Sequence, residues 1–380
     1  MDNLLSIIIP TYNRYQYLMD SIDAITETIS SDQIEIVVQD NTEDNSVFGE
    51  YLKNKKDARI KYFHEATRLT VSENCSKGIQ NSCGKYICLI GDDDAICSAV
   101  VDLVKCMDKN GIDACNFEPA LYHWPDLVQQ MSSLEAMTAL SPEDSLIYFD
   151  SEEILDQEIK RGLQKLYDFP RAYHEIISRK VLNMVYDKVG TFFPGPSPDM
   201  ANAVLCCIYA KKCIKIGIPM MVSGYSAAST GGLSRQRRHK GNLKGKDWLP
   251  KDVEEKWHKK IPLLWLPCTI WPASAIEALE RANETDRLKK MNYGIVYGET
   301  LLQSRFEGLK SVLRCKVTLG ELCFMVKHMV ARIIGRVKRK EQKDVIVNNN
   351  VVSLKEALDF QNTLNSKINI EHLFDCFPSK

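Results

Sequence analysis

Several features that identify common nucleotide-binding and membrane proteins are missing from this 380-residue sequence. The loop after the first apolar segment reads PTYNR and has no glycine, which excludes a G-x-G-x-x-G fingerprint and a Walker loop. No apolar stretch reaches eighteen residues without a charge, so we expect no membrane-spanning helix. Asp2 stands where a signal peptide carries basic residues, and we therefore predict no signal peptide.

The chain also lacks an excess of one charge and a metal-binding arrangement of cysteines. Its formal net charge is -1, which gives no overall attraction to nucleic acid. Thirteen cysteines fall within apolar runs, as at Cys88, Cys106 and Cys206, and none has the spacing of a zinc or redox motif. We interpret them as reduced, buried thiols of a cytosolic protein.

The sequence does contain an apolar run that ends directly in three aspartates. The run from Tyr86 to Ile90 is continuously apolar, which is typical of a strand buried on both faces. Gly91 then turns the chain, so that Asp92, Asp93 and Asp94 follow at the carboxyl end of this strand. Open α/β sheets bind their ligands at that end.

Three adjacent carboxylates repel one another, and an apolar neighbourhood raises their pKa values unless a cation is present. A hard divalent ion, Mg²⁺ or Mn²⁺, held by carboxylate and phosphate oxygens would remove this conflict. The alternative is a solvated acidic turn that caps a helix beginning at Ala95.

Apolar strand segments alternate with helical periodicity over the first ninety residues, which predicts a doubly wound, mostly parallel, Rossmann-like α/β sheet. The predicted strands are Leu4 to Ile9, Ile34 to Val38, Ile60 to Phe63, Tyr86 to Ile90 and Ala114 to Phe117. Helices are predicted at Tyr17 to Ile29 and Asn74 to Asn81. The stretch from Glu118 to Tyr148 is poorly periodic and is interpreted as loops and short helices.

Three segments, SIIIPTYNR, IEIVVQDNTEDNS and SENCSKGIQNSCGKYICLIGDDD, resemble the nucleotide-binding half of a family 2 glycosyltransferase with the GT-A fold. A further likeness to bacterial members that build surface polysaccharide lies at Trp124 to Asp126, Pro194 to Val204 and Ser223 to Ser234. The resemblance implies a nucleotide-sugar-binding half at residues 1–117 and an acceptor-binding, catalytic half at 118–240. Residues 241–380 would form a C-terminal, mostly helical appendage.

The same resemblance assigns the donor site. It implies that the base and ribose are held by Pro10, Thr11, Tyr12 and Arg14. Asp40 would accept the N3–H of a pyrimidine, which favours uridine or thymidine, although it could instead cap the turn through Asn41 and Thr42. Arg68 would reach a phosphate or the ribose, or else be an ordinary solvated side chain, and Tyr12 could be a packing tyrosine.

The candidate metal ligands are those that the resemblance implies when the aspartates are aligned with the D-x-D motif of the family. Many members have the first aspartate of D-x-D where this chain has Gly91. The register makes Asp93 the direct ligand of a Mn²⁺ or Mg²⁺ ion and Asp92 its neighbour, bound to the ribose or to the metal through water. Asp94 is the third candidate ligand.

A second informative stretch, Pro194-Gly195-Pro196-Ser197-Pro198-Asp199, precedes a buried helical run. Its prolines hold Asp199 rigidly at the start of that helix. Asp199 could be an N-cap, worth about 1 kcal/mol. The resemblance implies instead that it is the general base that faces the acceptor hydroxyl.

Other segments leave their alternatives open. Trp124 beside Pro125 is a candidate for stacking on a sugar or a packed loop anchor, and His174 is interpreted as a surface or packing residue. The loop from Gly224 to Lys240 could close over the donor with its basic run, in which His239 could add a metal ligand or be solvated.

The segment from Leu309 to Lys340 carries nine Lys or Arg residues against one Glu, interleaved with large apolar residues. A basic amphipathic helix or helical pair of this kind can lie on an anionic membrane. The alternative is a helix whose apolar face packs on the catalytic domain.

Together these features predict an inverting, metal-dependent glycosyltransferase. It would move a sugar from a nucleotide diphosphate donor, preferably a UDP-sugar, to a glycan or lipid-linked glycan of bacterial surface polysaccharide such as O-antigen or capsule. The alternatives are a sugar-phosphate nucleotidyltransferase, which would need a glycine- and arginine-rich first loop, and an inactive nucleotide-sugar-binding scaffold. We expect a cytoplasmic location with peripheral contact to the inner face of the cell membrane, and no nucleic acid partner.

Overall fold

The structure is a computed structural model that describes residues 3–166, 168–236, 241–243, 246, 249, 252–335 and 345–376, with residue 335 described by its backbone alone. The strands are β1 (Leu5–Thr11), β2 (Ile34–Asp40), β3 (Ile60–His64), β4 (Tyr86–Leu89), β5 (Ala95–Ile96), β6 (Ala114–Asn116), β7 (Ala120–His123), β8 (Met137–Leu140), β9 (Leu146–Phe149), β10 (Ile176–Ser178), β11 (Cys213–Ile216), β12 (Met221–Tyr225) and β13 (Val345–Val347). The first eight helices are α1 (Tyr15–Thr28), α2 (Ser46–Lys55), α3 (Val71–Gln80), α4 (Val100–Asn110), α5 (Pro125–Gln130), α6 (Ser151–Lys160), α7 (Arg179–Val189) and α8 (Pro198–Tyr209). The others are α9 (Thr230–Arg235), α10 (Val253–Lys256), α11 (Pro267–Arg281), α12 (Thr285–Leu288), α13 (Tyr293–Leu313), α14 (Leu319–Gly335), α15 (Leu354–Asn365) and α16 (Ile370–Cys376).

The larger sheet has eight strands in the order β3-β2-β1-β4-β10-β6-β11-β9. Its first four strands are parallel, and β10 and β9 pair antiparallel with their neighbours. Every residue of β2 and β4 is buried, as expected for strands covered by helices on both faces. The α/β prediction is confirmed, with a mixed sheet.

A second sheet, in the order β13-β8-β7-β12-β5, was not predicted. Its strands β7 and β8, together with α5 and most of β9, lie in the stretch from Glu118 to Tyr148, so the prediction of loops and short helices there is right for α5 and wrong for the strands. Each of these strands has five residues or fewer. Strands this short show little periodicity and take their stability from partners far away in the chain.

The three aspartates connect the two sheets. They follow β4 of the larger sheet, and Ala95 directly after them begins β5, which pairs with β12 of the smaller sheet. The next helix, α4, begins only at Val100 after the N-cap residue Ala99. The alternative in which the aspartates cap that helix is therefore wrong.

The C-terminal residues return to the N-terminal half. Strand β13 pairs with β8, α15 contacts α1 and β12, and α16 contacts α4. Leu358 of α15 and Phe374 of α16 belong to the same buried cluster as Ile7 of β1. The packing therefore cuts across the division into residues 1–117, 118–240 and 241–380, which stays a prediction about function.

Helices α13 and α14 form a hairpin on the outside of the molecule. The two helices approach closely at Gly294 and Gly298, because a Cβ at Gly294 would lie 2.4 Å from the Glu321 carbonyl oxygen and one at Gly298 would lie 3.2 Å from the His328 ring. No side chain of α14 is buried among its described residues, and Leu319, Phe324, Ile333 and Ile334 are each more than half exposed.

Met325 of α14 packs on the Tyr297 and Val312 cluster of α13, whereas most other apolar side chains of α14 are exposed. Both alternatives for this segment therefore stay predictions. Residues 336–340, the basic end of the segment, lie outside the described part of the chain. Among the described residues, no helix is long and apolar enough to cross a membrane.

Candidate active site

The candidate site is built where β1 and β4 end and β12 passes beside them. Arg14, directly before α1, places one guanidinium nitrogen 3.3 Å from Asp92 Oδ1 and the other 2.8 Å from Asp93 Oδ2. Thr11 at the end of β1 donates its hydroxyl to Asp92 Oδ2 over 2.8 Å. The structure thus brings together Thr11, Arg14, Asp92 and Asp93, which the sequence placed in one donor site.

Asp94 points into the fold. Its Oδ1 accepts the Gly224 N–H, and its Oδ2 accepts the Gly91 N–H and the His174 Nε2–H, each over 2.7 Å. The residue is 1% exposed. These contacts leave Asp94 no free face for an ion, so its predicted place as a third metal ligand is corrected to a structural one.

Gly224 is required for this arrangement. A Cβ at this position would lie 1.7 Å from the Asp93 carbonyl oxygen and 2.8 Å from Trp124 Nε1, distances that real atoms do not reach. Strand β12 can therefore approach the aspartates only because residue 224 has no side chain.

Burial governs the ionisation of the acidic run. It raises the pKa of Asp92 to about 7 and also raises that of Asp93, although the Arg14 charge opposes both shifts. The pKa of Asp94 is lowered despite its burial, because His174 and two backbone N–H groups favour the carboxylate. Burial also disfavours the charge on Arg14, but Asp92 and Asp93 raise the pKa of its guanidinium above its usual value.

Ser226, which the sequence did not indicate, joins these groups. Its hydroxyl donates to Asp93 Oδ2 over 2.7 Å and accepts a hydrogen bond from Arg14 over 2.6 Å. Asp126 holds the adjoining loop by accepting the Ala227 N–H over 3.0 Å and the Tyr17 hydroxyl over 2.6 Å. The only sequence signal was the family likeness at Ser223 to Ser234.

Trp124 is a packing residue. Its ring is 6% exposed, lies edge-on to Tyr17 and Tyr122, and donates Nε1–H to the Asp93 carbonyl oxygen over 3.1 Å. The prediction that it stacks on a sugar is therefore wrong, and the alternative of a packed anchor is right.

Two of the residues predicted to bind the base, Pro10 and Tyr12, lie near the end of β1 and directly after it. Pro10 is half-buried within the strand, whereas the Tyr12 ring is 38% exposed and lies 3.5 Å from the Arg68 guanidinium carbon, which stacks over it. The Tyr12 and Arg68 pair gives this edge of the site an accessible planar surface.

Asp40 is enclosed. Its carboxylate has no exposed surface and accepts hydrogen bonds from the Tyr15 and Tyr62 hydroxyls and from the Thr42 N–H, over 2.6 to 2.8 Å. The bond to Thr42 is the turn cap that was the alternative for this residue. Contact between Asp40 and a pyrimidine stays a prediction, and it requires a tyrosine hydroxyl to move.

Asp199 lies in the first turn of α8, but it is not the cap. Ser197 is the N-cap residue and Pro198 begins the helix, so the alternative of Asp199 as N-cap is wrong. The Asp199 side chain is half-buried, and no described residue hydrogen-bonds to it. Burial raises the pKa of Asp199, and the charges of His174 and Arg171 oppose that shift.

His174 contacts Asp94 and lies close enough to Asp199 to influence its ionisation, so of its two interpretations the packing residue is right and the surface residue is wrong. Its backbone has a φ of 64°, its N–H donates to the Leu89 carbonyl oxygen over 2.9 Å, and its ring stacks on Tyr173 at 3.9 Å. Burial is the main cause that raises the pKa of Tyr173, and the charges of the nearby Asp94, Asp199 and Asp93 raise it further. These residues lie far apart in the sequence, which gave no signal for the contact.

A divalent cation has two candidate ligands here. Asp92 and Asp93 already share one cation, the Arg14 guanidinium, and their oxygens are of the kind that Mg²⁺ and Mn²⁺ prefer. Among the described residues, no group of three or more His, Cys, Asp or Glu side chains is placed to hold a metal. The pair fits an ion only if other oxygens complete its shell. His239 lies outside the described residues.

The chain is similar to known proteins in both sequence and fold. A family model for glycosyl transferase family 2 matches residues 6–164. An uncharacterized glycosyltransferase of Rickettsia bellii is 35% identical over 111 residues, which are 29% of this chain and 16% of that protein. The GalNAc(5)-diNAcBac-PP-undecaprenol beta-1,3-glucosyltransferase of Campylobacter jejuni is 31% identical over 98 residues, 26% of this chain and 32% of that protein. The chain thus spans less than a third of the length of either relative.

The fold is similar to that of S. aureus TarS 1–349, whose crystal structure contains UDP-GlcNAc. The two chains superpose with a TM-score of 0.53 at 14% identity, over 92% of this chain and 98% of the TarS chain. At this identity the likeness shows the fold alone. The chain thus has the GT-A fold, and its residues 6–164 match the model of glycosyl transferase family 2.

Proposed function

We propose that this glycosyltransferase moves a sugar from a UDP-sugar to a hydroxyl of a glycan or lipid-linked glycan, with inversion at the anomeric carbon, in the synthesis of bacterial surface polysaccharide. One observation carries the proposal. The half-buried Asp199 carboxylate, with no hydrogen-bond partner among the described residues, lies close enough to His174 for the two charges to interact, and His174 binds Asp94 beside the Arg14, Asp92 and Asp93 cluster.

A general base close to a charged donor site suits a reaction in which the acceptor oxygen directly displaces the nucleoside diphosphate. Asp199 takes the proton of the acceptor hydroxyl, and that oxygen attacks the anomeric carbon as the bond to the nucleoside diphosphate breaks. The raised pKa of Asp199 makes its carboxylate a better proton acceptor at neutral pH. One carboxylate that acts as base suffices for this step, and no covalent intermediate is needed.

The donor diphosphate would meet Arg14 and the carboxylate pair. A Mn²⁺ or Mg²⁺ ion on Asp93 and Asp92 would neutralise charge that develops on the leaving diphosphate. Arg14 could then release the carboxylates and bind a phosphate oxygen in a charge-assisted hydrogen bond. Tyr12 and Arg68 offer the exposed planar surface for the base, and the UDP-GlcNAc bound to TarS is the precedent within this fold for a uridine donor.

A lipid-linked acceptor would bring the enzyme to a membrane surface, and the α13–α14 hairpin suits that contact. Its exposed apolar residues are Phe306, Leu313, Phe324, Ile333 and Ile334, and its exposed cations include Lys310, Arg314, Lys316 and Lys327. Apolar insertion together with attraction to anionic headgroups favours an interfacial position. We therefore propose an anionic membrane as the partner of this hairpin.

A panel of nucleotide sugars tests the proposal. Purified protein is incubated with UDP-, dTDP-, GDP- and CMP-sugars, with Mn²⁺ or with a chelator, and release of the nucleotide is measured. We expect release from a UDP-sugar that the chelator abolishes. Release of pyrophosphate from a nucleoside triphosphate and a sugar phosphate would indicate the nucleotidyltransferase alternative, and no turnover with any donor would indicate the inactive scaffold.

A further inference from the structure

A groove of about 1070 Å³ lies beside the loop that carries Asp199 and is separate from the aspartate run, since none of Asp92, Asp93 and Asp94 lines it. Helix α3 forms one wall, and helices α10 and α11 form the other. Residues 190–191 and 193–196 form part of its inner end. Helices α10 and α11 lie outside the part of the chain that the family model matches.

The groove begins at both halves of the candidate active site. Arg68 lines it, and the same guanidinium stacks over Tyr12 of the donor loop at 3.5 Å. Pro194 and Pro196 also line it, and Asp199 follows three residues after Pro196. A molecule in this groove therefore has one end near the proposed donor and the proposed base.

Helix α11 fixes the groove to the Asp199 loop. The Ser197 N–H donates to the Ser274 hydroxyl over 2.8 Å. Gly195 has a φ of 78°, and a Cβ there would lie 3.0 Å from Ser274 Cα and 3.2 Å from Glu277 Oε2. The backbone of the loop thus rests directly on the helix, so the wall of the groove and the base keep one geometry.

The charges of the groove are balanced. Its carboxylates are those of Glu73, Asp252, Glu277 and Glu280. Its cations are Arg68, Lys77, Lys256 and Arg281. Lys256 pairs with Asp252 at 2.6 Å and Arg281 with Glu277 at 2.9 Å. Beyond its Arg68 end, which belongs to the proposed donor site, a groove without net charge does not concentrate a polyanion, so an uncharged ligand suits it better than a nucleotide or a nucleic acid.

Aromatic rings and the size of the groove define the ligand further. Tyr186, which is 40% exposed, lines it together with His258 and the buried Trp257. The C–H face of a sugar ring can pack on the exposed Tyr186 ring, while its hydroxyls bind paired carboxylates and cations. Pockets for small ligands measure about 300–1,000 Å³, and this groove of about 1070 Å³ is large enough to hold more than one sugar ring.

We infer that this groove binds the acceptor, an uncharged oligosaccharide of at least two rings whose terminal hydroxyl reaches Asp199. The inference rests on the proposed function, because it supplies the second substrate of that reaction. Glu277 and Tyr186 are specificity residues in this account: Glu277 binds hydroxyls beside Gly195, and Tyr186 stacks on a ring farther from the base.

The test measures nucleotide release from the active UDP-sugar with and without p-nitrophenyl glycosides of neutral mono- and disaccharides. Full-length wild type is compared with Glu277→Gln and Tyr186→Ala, and Glu153→Gln on the exposed surface of α6 is the matched control. Acceptor-free hydrolysis is the reference rate for each protein. We expect a disaccharide to have a lower KM than its monosaccharide, and each groove variant to raise the disaccharide KM about tenfold while the control does not.

The possible failures are distinguishable. If wild type hydrolyses no nucleotide sugar, the proposed function fails and this inference with it. If hydrolysis occurs but no neutral glycoside accelerates nucleotide release, the assignment of the groove to uncharged glycans is overturned alone. An unchanged disaccharide KM in both groove variants overturns it as well, because the acceptor must then bind elsewhere.

Discussion

At the scale of single residues, the candidate site separates the aspartates into two kinds. Asp94 has both oxygens occupied by two backbone N–H groups and His174, whereas Asp92 and Asp93 share a cation and the side chains of Thr11 and Ser226. The contacts of Asp94 stabilise the segment that connects the two sheets. The carboxylates of Asp92 and Asp93 provide negative charge that can bind a ligand.

This difference predicts that Asp94→Asn mainly lowers the stability of the fold, whereas Asp93→Asn mainly removes ligand binding. Asp94→Asn leaves a buried N–H donor facing the amide, so it should lower the free energy of unfolding by about 1–3 kcal/mol. Asp93→Asn should lower it less but abolish metal-dependent nucleotide binding. Thermal melting and nucleotide titration of both proteins measure the two effects. A stable Asp94 variant that has lost the nucleotide would show that the ligand pair is Asp92 and Asp94.

Asp199→Asn tests the base. The amide keeps the size of the side chain and removes its ability to take a proton, so turnover should fall by about 10²–10⁴-fold. Nucleotide affinity and thermal stability should stay as in wild type, because Ser197 and not Asp199 occupies the N-cap position of α8. Turnover within about twofold of wild type would remove Asp199 from the mechanism.

At the scale of helices and strands, Glu35 of β2 fastens the start of β4 to the sheet. Burial would raise its pKa, but the Cys83 N–H, the Ser6 hydroxyl and the Gly84 N–H donate to its carboxylate and hold the pKa below its usual value. Because the folded pKa is depressed, the ionised group stabilises the fold at pH values above its unfolded pKa, about 4.3. That contribution is lost as the pH falls through the folded pKa.

Glu35→Gln should therefore lower stability at pH 7, and the difference from wild type should shrink below about pH 4.3 as the wild-type carboxylate is protonated. Denaturant unfolding of both proteins from pH 7 to the lowest pH at which they stay folded gives the comparison. A difference that is independent of pH would show that the hydrogen bonds do not depend on the charge of Glu35.

The α13–α14 hairpin gives the second prediction at this scale. The triple variant Phe324→Ser, Ile333→Ser, Ile334→Ser should no longer co-sediment with vesicles that contain an anionic lipid, while its nucleotide release stays at the wild-type rate. The matched control replaces Val47, Ile147 and Val352 by serine, three apolar residues of similar exposure elsewhere. Wild-type protein that ignores anionic vesicles, or binds neutral ones equally well, would contradict a membrane role.

The sequence predicted the four parallel strands that begin the larger sheet and missed the very short strands β5 and β10. The runs predicted for β2 and β4 are apolar except for Glu35, and they were placed within two residues of the ends of these strands. β5 has two residues and exists because it pairs with β12, more than 120 residues away. Thr11, Arg14 and Asp92 were predicted together because the family resemblance implies one donor site for them. His174 and Ser226 were missed because only tertiary contacts bring them there.

At the scale of the whole molecule, the site lies where the two sheets meet. The larger sheet supplies Thr11 and the strand before Asp92, and the smaller sheet supplies Gly224 and the loop with Ser226. The C-terminal strand β13 and helix α15 complete the smaller sheet and its cover. Residues far outside the family match thus hold the aspartate run in place.

The central claim is that the Asp92 and Asp93 pair binds the diphosphate of a uridine donor. Calorimetric titration of UDP into wild type and Asp93→Asn, each with Mn²⁺ and with a chelator, tests it most directly. The account predicts metal-dependent binding to wild type and a loss of at least tenfold in affinity in the variant, with Glu153→Gln unchanged. Equal affinity in wild type and Asp93→Asn, or a preference for GDP over UDP in the same titration, would contradict it.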